Sequence, residues 1–347
     1  MPSGATPRRD ETPMPSNTRT YKLAALDEPA LRSFLTGAGF AFSDLPYAHW
    51  QARRAGATVS FYRSGKLLVQ GRDCDPLCAE LDALLQHSAP PQAATRAATR
   101  TTDRSAPRDD TSDAADRIPS AARRFLVARS RLPDPLPDAW VGIDETGKGD
   151  YFGPLVVAAA RVHVDDLGWL AELGVGDSKG LTDARATQLA QTLAPTIPHH
   201  VLVLAPDRYN ELYAEIGNLN HLLAWAHAAA ADSLLAETDA ELILSDQFTR
   251  TDLISRRLRT REHTRSVRFT QRTRAEDDAA VACASILARA RFLAELRRLE
   301  RAFGVKLAKG AGSPVLKAGR ALVRDHGRER LRDVAKLHFK TTGQIGG

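Results

Sequence analysis

Apolar runs separated by short polar segments dominate the second half of the chain. Five runs rich in Val, Ile, Leu and Ala predict β-strands: WVGIDE, PLVVAAARVHV, HHVLVLA, ELILSD and SVRFT. Apolar residues recur at helical spacing over residues 181–193, 219–236 and 279–303. The first strands follow one another directly, whereas the later strands alternate with helices. We therefore expect an α/β fold with a mixed five-stranded sheet flanked by helices.

A shorter set of elements precedes this region and predicts a small α+β domain. The run YKLAAL predicts a strand, and a helix pattern follows over residues 28–35. The runs ATVSFYRSG and KLLVQG, joined around Ser64 and Gly65, predict a hairpin. Residues 75–85 then close the unit as a helix, which gives the order β-α-β-β-α.

Changes in composition set the expected domain boundaries. Residues 87–119 contain almost no large apolar side chains and are expected to form a disordered linker, because such a segment cannot offset its chain entropy by burial. Residues 1–20 lack the apolar core of a signal peptide and are expected to be a disordered leader. The small domain then spans residues 21–86, and the larger domain spans residues 120–347.

Charge and cysteine content narrow the class of protein. The chain has 347 residues, which suits two domains, and its net charge of +6 makes an anionic partner plausible. Cys74, Cys78 and Cys283 lack the spacing of a metal site, and their odd number favours reduced thiols in the cytoplasm. No apolar run reaches the length of about 18 residues that predicts a membrane span.

The most informative segment is VGIDETGKGDYFGPLVVAAAR, at residues 141–161. Asp144 and Glu145 end an apolar run, and glycines follow at once before a second apolar run. Paired carboxylates beside flexible backbone suit a hard divalent cation and an anionic group. The segment also nearly matches the phosphate loop GxxxxGK[ST], but Gly149 replaces the hydroxyl residue and the following run predicts a strand rather than a helix.

Further acids stand at the ends of other predicted elements. Asp246 ends the strand ELILSD, where it either faces a ligand or caps a turn. Glu276, Asp277 and Asp278 precede a long helix, where acids serve either as caps or as ligands. Converging carboxylates repel each other by about 1 to 4 kcal/mol per close pair at 4 Å. All-oxygen ligation would therefore require Mg²⁺ or Mn²⁺, and two such ions form the usual clamp for phosphoryl transfer.

These motifs, taken in order, resemble the bacterial ribonuclease HIII family. The resemblance covers most of the second domain and part of the first, but neither the leader nor the linker. Arg274 and Thr341 depart from the Lys and Asn expected at these places. The blocks that carry the resemblance are GIDETGKGDYFGPLVVAA, GDSKGLTD, YNELY, NLNHLLAWAH, ILSDQF, RAEDDAAVACASILAR, LAKGAGSPV, AKLHFK and, in the first domain, FYRSGKLLVQG.

The resemblance implies a ribonuclease H fold and a small N-terminal substrate-binding module similar to half of a TATA-binding saddle. It implies cleavage of the RNA strand of RNA–DNA hybrids with two Mg²⁺ or Mn²⁺ ions, leaving 5′-phosphate and 3′-hydroxyl ends. The catalytic and metal-binding acids it implies are Asp144, Glu145, Asp246 and Glu276, with Asp277 and Asp278 as rivals for the fourth place. A non-catalytic hybrid-binding protein and a DNA nuclease on the same fold are the alternatives.

Substrate contacts are expected from both domains of a monomer. Backbone amides of Gly147 to Gly149 can approach RNA and distinguish 2′-hydroxyl groups. His338, in AKLHFK, lies either near the site or in a packed terminal segment, and Tyr62 is either a duplex contact or a buried core residue. The expected substrate-binding residues are Gly147, Lys148, Gly149, Ser178, Lys179, Tyr62 and Lys66.

Overall fold

The chain divides into two compact units, Met1–Arg117 and Ile118–Gly347. The structure, a computed structural model, describes residues 18–23, 28–45, 48–87, 120–176, 180–247 and 252–345. Most of the expected leader and nearly all of the expected linker lie outside the described residues. Among the described helices, none combines the length and the apolarity that crossing a bilayer requires.

The first unit is an antiparallel sheet covered by two helices. Its strand order is β1-β5-β4-β3-β2. Trp50 and Phe61 from the sheet pack with Leu31 and Leu77 from the two helices in a common core. The elements are β1 (Thr18–Lys22), α1 (Glu28–Gly37), β2 (Ala41–Ser43), β3 (Ala48–Arg54), β4 (Ala57–Tyr62), β5 (Lys66–Gln70) and α2 (Cys74–His87).

This unit differs from its sequence-based prediction in three places. Strand β1 begins at Thr18, so three residues assigned to the leader belong to the sheet. Strands β2 and β3 were not predicted. In β3 the inward residues Ala48, Trp50 and Ala52 alternate with polar ones, and two of the three are alanines, which gives a weak apolar signal.

The second unit contains the predicted mixed five-stranded sheet, so the expected fold class is confirmed. The strand order is β10-β9-β6-β7-β8. The pairs β6–β7 and β7–β8 are antiparallel, whereas β6–β9 and β9–β10 are parallel. The strands are β6 (Ala139–Thr146), β7 (Leu155–His163), β8 (His199–Leu204), β9 (Leu242–Asp246) and β10 (Arg268–Arg272).

Helices pack on both faces of this sheet. One face of β6 and β7 contributes Val141, Ile143 and Val157 to a core shared with α7. On the other face, α9 crosses β6 directly over Gly142, where a Cβ atom would stand closer than 3.0 Å to backbone atoms of Val281. The helices are α3 (Ser120–Arg129), α4 (Leu167–Glu172), α5 (Asp183–Leu193), α6 (Pro206–Ile216), α7 (Leu219–Leu235), α8 (Leu253–Arg259), α9 (Ala279–Phe303), α10 (Ser313–His326) and α11 (Thr341–Ile345).

Candidate active site

Two of the predicted acids stand at the carboxyl ends of neighbouring parallel strands. In the register of β6 with β9, Ile143 lies beside Ser245. The next residue on each strand is an aspartate, Asp144 on β6 and Asp246 on β9. The sheet therefore brings these two carboxylates together at one edge, where open α/β sheets place their ligands.

The period-two alternation of β6 sends its two acids to opposite faces of the sheet. Asp144 lies on the same face of the sheet as Gly142, and it accepts a hydrogen bond from Ser285 of α9. Glu145 lies on the same face of the sheet as Ile143, and its Oε2 lies 3.0 Å from Nε2 of His227 on α7. Each acid is thus held by the helix that covers its own face of the sheet.

Burial and neighbouring negative charges disfavour the ionised form of Asp144. Burial and the charges of Glu145 and Asp246 raise the pKa of Asp144 to about 7, although hydrogen bonds from Ser285 and from the backbone amide of Glu145 oppose the rise. That amide lies 2.8 Å from Oδ1 of Asp144. A carboxyl group in this environment gains stabilisation from a nearby cation.

Glu145 belongs to a buried chain of hydrogen bonds. His227 is fully buried, and its Nδ1 lies 3.2 Å from Oγ of Ser245, which donates to the backbone carbonyl of Asp246 at 3.0 Å. Burial alone would raise the pKa of Glu145, but His227 and Lys148 outweigh it and lower the pKa to about 2. These hydrogen bonds connect the Glu145 carboxylate to the end of β9 that carries Asp246.

The three acids before α9 have different surroundings. Asp278 is fully buried and is the N-cap of α9, accepting hydrogen bonds from the amides of Ala280 and Val281. It also accepts one from Nε1 of Trp140 at 2.9 Å. Burial raises the pKa of Asp278, against the effect of these donors. Its role in capping explains its position without a metal.

Asp277 is paired with two arginines, and Glu276 directly follows a residue that contacts Asp246. The Asp277 carboxylate forms salt bridges with Arg272 and Arg131. The residue before Glu276 is Ala275, whose backbone amide donates to Oδ1 of Asp246 at 3.0 Å. This bond places the backbone of Glu276 one residue from the contact with Asp246.

The glycine loop, residues 147–154, connects β6 to β7 without forming a helix. Gly147 has φ +95°, a conformation that favours glycine, and a Cβ there would also collide with the carbonyl oxygen of Pro154. Lys148 points back to the acids, with Nζ 3.4 Å from Oε1 of Glu145. Strand β7 follows the loop, as predicted, so the near match to the phosphate-loop motif is not a phosphate loop, which would open a helix.

The donor set suits a hard divalent cation. Within the residues that the structure describes, no three His, Cys, Asp or Glu side chains are grouped so that they could hold a metal ion. However, Asp144, Glu145 and Asp246 provide only carboxylate oxygens, and Asp144 carries the electrostatic strain that a cation relieves. This chemistry fits Mg²⁺ or Mn²⁺ and is unsuited to a structural zinc site.

Comparison with known proteins decides the family. A family model described as Ribonuclease HII matches residues 141–342. A ribonuclease HIII of Protochlamydia amoebophila is 34% identical over 309 residues, covering 89% of this chain and 90% of that protein. A ribonuclease HIII of Bacillus pumilus is 35% identical over 302 residues, covering 86% of this chain and 88% of that protein. The chain belongs to the ribonuclease HIII family.

Solved structures of the ribonuclease HIII family support this assignment. The crystal structure of Bst-RNase HIII in complex with Mn²⁺ is 30% identical, with a TM-score of 0.58, and the match covers 95% of this chain and 98% of that one. The Aquifex aeolicus RNase H3 structure, at 23% identity and a TM-score of 0.50, shares the fold. The family resemblance predicted from the motifs is confirmed, and the chain is a nuclease of the hydrolase class.

The remaining residues that the ribonuclease HIII resemblance predicted to bind substrate or to lie near the site have different surroundings. Ser178 and Lys179 lie outside the described residues. Tyr62 is 0% exposed and Lys66 is 5% exposed, so in this structure neither offers a free surface to a duplex. For Tyr62, this burial agrees with the alternative of a core residue. His338 stacks on Tyr213, with ring centroids 4.1 Å apart.

Three residues that hold the acids of the candidate site in place were not predicted from the sequence. His227 and Ser285 contact the two acids of β6, and Ser245 connects His227 to the strand end of β9. His227 lies in an Ala-rich helix that gives the signal of a packed core. Ser245 directly precedes Asp246, and this adjacency was the one signal that pointed to it.

Proposed function

We propose that the protein is an endonuclease that cleaves the RNA strand of RNA–DNA hybrids with two divalent metal ions. The single observation that carries this proposal is the pairing of Asp144 and Asp246 at adjacent strand ends, with Glu145 beside them. Membership of the ribonuclease HIII family and the Mn²⁺ bound in the Bst relative support the same activity and metal class.

The carboxylates would hold the ions by their oxygen atoms. Asp144, Glu145, Asp246 and Glu276 would together hold the two ions. The ions would supply a nucleophilic hydroxide and stabilise the leaving 3′ oxygen, so that products carry 5′-phosphate and 3′-hydroxyl ends. His227 and Ser285 would fix the orientation of Glu145 and Asp144, because each hydrogen-bonds one of these carboxylates.

Glu276 is the best fourth acid by elimination. Asp278 caps α9, and Asp277 is held by Arg272 and Arg131. Glu276 follows the residue that hydrogen-bonds Asp246. We therefore expect Glu276→Gln to abolish cleavage while the free energy of unfolding stays near that of the wild type. Asp278→Ala should instead lower stability by about 1 kcal/mol through loss of the cap.

The substrate would lie across the glycine loop. Amides of Gly147 and Gly149 would approach the RNA strand and contact 2′-hydroxyl groups, with Lys148, Ser178 and Lys179 near the phosphates. The unit Met1–Arg117 would add affinity for the duplex. Because Tyr62 and Lys66 are buried, a direct contact from either would require a rearrangement that exposes them.

A fluorescent hybrid duplex incubated with Mg²⁺ tests the proposal. We expect cleavage of the RNA strand by the wild type and no cleavage by Asp144→Asn, with hybrid binding retained. Binding without cleavage by the wild type would indicate a non-catalytic hybrid-binding protein. Cleavage of an all-DNA duplex of the same sequence would instead indicate a DNA nuclease. Sedimentation of the intact chain would test the expected monomer.

A further inference from the structure

The C-terminal segment holds the glycine loop through backbone pairing. Phe152 and Ala335 form an isolated antiparallel bridge. The amide of Gly153 donates to the carbonyl of Val334 at 2.8 Å, and the amide of Lys336 donates to the carbonyl of Tyr151 at 2.9 Å. The loop that follows Asp144 and Glu145 in sequence is therefore supported by a chain segment nearly two hundred residues away.

The Lys336 side chain adds a second kind of support. Lys336 is 0% exposed, and its Nζ donates to the carbonyl of Asp150 at 2.8 Å and to the carbonyl of Gly153 at 2.8 Å. The same amine lies 5.6 Å from the centre of the Tyr209 ring. One buried amine thus ties together two points of the loop that are three residues apart in sequence.

Burying the Lys336 amine costs free energy of desolvation, which its hydrogen-bond acceptors must offset. A buried amine requires partners for its hydrogens, and lysine is almost never fully buried without them. The loop itself contains Gly147 and Gly153, both at positive φ, so its backbone loses much conformational freedom when it is ordered. Fixing two of its carbonyls before substrate arrives reduces the entropy that binding must overcome.

A second contact fixes the same loop from another direction. Oδ1 of Asp150 accepts a hydrogen bond from the amide of Gly310 at 2.6 Å, and the amide of Tyr151 donates to the carbonyl of Gly310 at 2.9 Å. The first bond holds the side chain of Asp150 and the second holds the backbone of Tyr151, whereas Lys336 holds the carbonyl of Asp150. Lys336 is the side chain that secures the carbonyls at both ends of the 150–153 turn.

We propose that Lys336 is a positioning residue for substrate binding, which preorganises the glycine loop through the carbonyls of Asp150 and Gly153. The proposal rests on the proposed function, because it takes the loop to be the surface that binds the hybrid. Lys336 does not contact the acids in this arrangement. Its effect should therefore fall on hybrid affinity and KM, and not on metal binding or on kcat.

Two substitutions and a matched control test the proposal. Lys336→Met removes both donated hydrogen bonds at similar side-chain volume, and Lys336→Gln retains an amide donor on a side chain one bond shorter. Lys317→Met, on the exposed face of α10, is the control. Hybrid affinity is measured by fluorescence anisotropy in an Asp144→Asn background, which prevents cleavage, and KM and kcat are measured with Asp144 intact.

We expect Lys336→Met to weaken hybrid binding and raise KM by about tenfold, the scale of ordering one residue. Lys336→Gln should lie between Lys336→Met and the wild type, and Lys317→Met should match the wild type. Mn²⁺ affinity, measured by calorimetry without substrate, should stay unchanged. If Lys336→Met does not fold, the same comparison is made with Lys336→Gln.

Two results would overturn the proposal. One is hybrid affinity within twofold of the wild type in folded Lys336→Met, or in Lys336→Gln where only that variant folds. The other is a parallel loss of Mn²⁺ affinity and hybrid affinity, which would assign Lys336 to the integrity of the whole site. Failure of the wild type to cleave the hybrid would count against the proposed function alone, because the anisotropy measurement does not require cleavage.

Discussion

The buried side chain of His227 orients the Glu145 carboxylate. His227 reaches Glu145 with one ring nitrogen and Ser245 with the other. Carboxylates that bind metals depend on such partners for their orientation, and loss of the partner typically costs about 10- to 100-fold in metal affinity or activity. The helix that covers one face of the sheet thus takes part in the site through this one side chain.

Replacing His227 by Leu should lower Mn²⁺ affinity by about 10- to 100-fold, because Glu145 loses its fixed orientation. Calorimetric titration of Mn²⁺ into the folded protein measures this change. His227→Gln should recover part of the affinity, since an amide can donate to the carboxylate. The control is His221→Leu, an exposed position at the start of α7. Equal Mn²⁺ affinity in His227→Leu and the wild type would contradict the expectation.

Lys336 should give the protein a characteristic dependence of stability on pH. Burial lowers the pKa of Lys336 to about 7 from its ordinary 10.5, although the charge of Asp150 opposes this. Between these two pH values the unfolded chain binds the proton and the folded protein does not. The free energy of unfolding therefore gains a component that rises with pH from about 7 to about 10.

The measurement is urea unfolding of the wild type, Lys336→Met and Lys317→Met at several pH values between 7 and 10. Since Met cannot titrate, the stability of Lys336→Met should rise less with pH than that of the wild type. Lys317→Met should follow the wild type. Parallel curves for Lys336→Met and the wild type would show that the lysine titrates alike in the folded and unfolded states. A neutral amine still carries two hydrogens, so both carbonyls remain bonded across this range.

At the scale of elements, the crossing of α9 over β6 depends on the absence of a side chain at Gly142. A Cβ there would stand closer than 3.0 Å to backbone atoms of Ala280 and Val281. Backbone atoms cannot move aside as the end of a flexible side chain can. The helix that carries Ser285 and follows Glu276 is therefore located against the sheet by this one glycine.

Gly142→Ala should lower the free energy of unfolding by about 1–3 kcal/mol or more through overpacking. It should also reduce cleavage more than the stability loss explains, because shifting α9 displaces Ser285 from Asp144. Denaturant unfolding and activity at a temperature where the variant is folded separate the two effects. Gly343→Ala, where an added Cβ meets nothing within 4 Å, is the control. A variant as stable as the wild type would argue against close contact at this crossing.

The elements that the sequence predicts well are those with long apolar runs. All five strands of the larger unit and the helices α5, α7 and α9 were predicted close to their observed bounds. Strands β2 and β3 were not, because Ala41–Ser43 is short and β3 contains several polar residues. Tertiary pairing, which local propensity does not contain, makes these segments strands.

The candidate site could be predicted only in part from the sequence, for a related reason. Asp144 and Asp246 end apolar runs, so strand register brings them together without further information. His227 and Lys336 gave no such signal, since their roles depend on contacts with residues far away in sequence. A histidine in an alanine-rich helix and a lysine near a terminus are ordinary in isolation.

At the scale of the whole molecule, each unit has its own core, so the two can be separated by deletion. Trp50 and Phe61 belong to the core of the first unit, and Val141 and Ile143 to a core of the second. The proposed acids all lie in the second unit, Ile118–Gly347. Removal of the first unit should therefore leave the proposed chemistry in place and change the affinity for substrate.

Deletion of residues 1–87 should raise KM for a hybrid duplex far more than it lowers kcat, because contacts outside the reacting centre contribute mainly to uniform binding. Basic residues of the deleted part would neutralise phosphates, so the intact protein should lose affinity more steeply as salt increases. Steady-state cleavage at several salt concentrations measures both quantities, with Asp144→Asn as the inactive control. If KM and its salt dependence are the same for both proteins, the first unit does not bind the duplex, and affinity must come from the glycine loop and its neighbours alone.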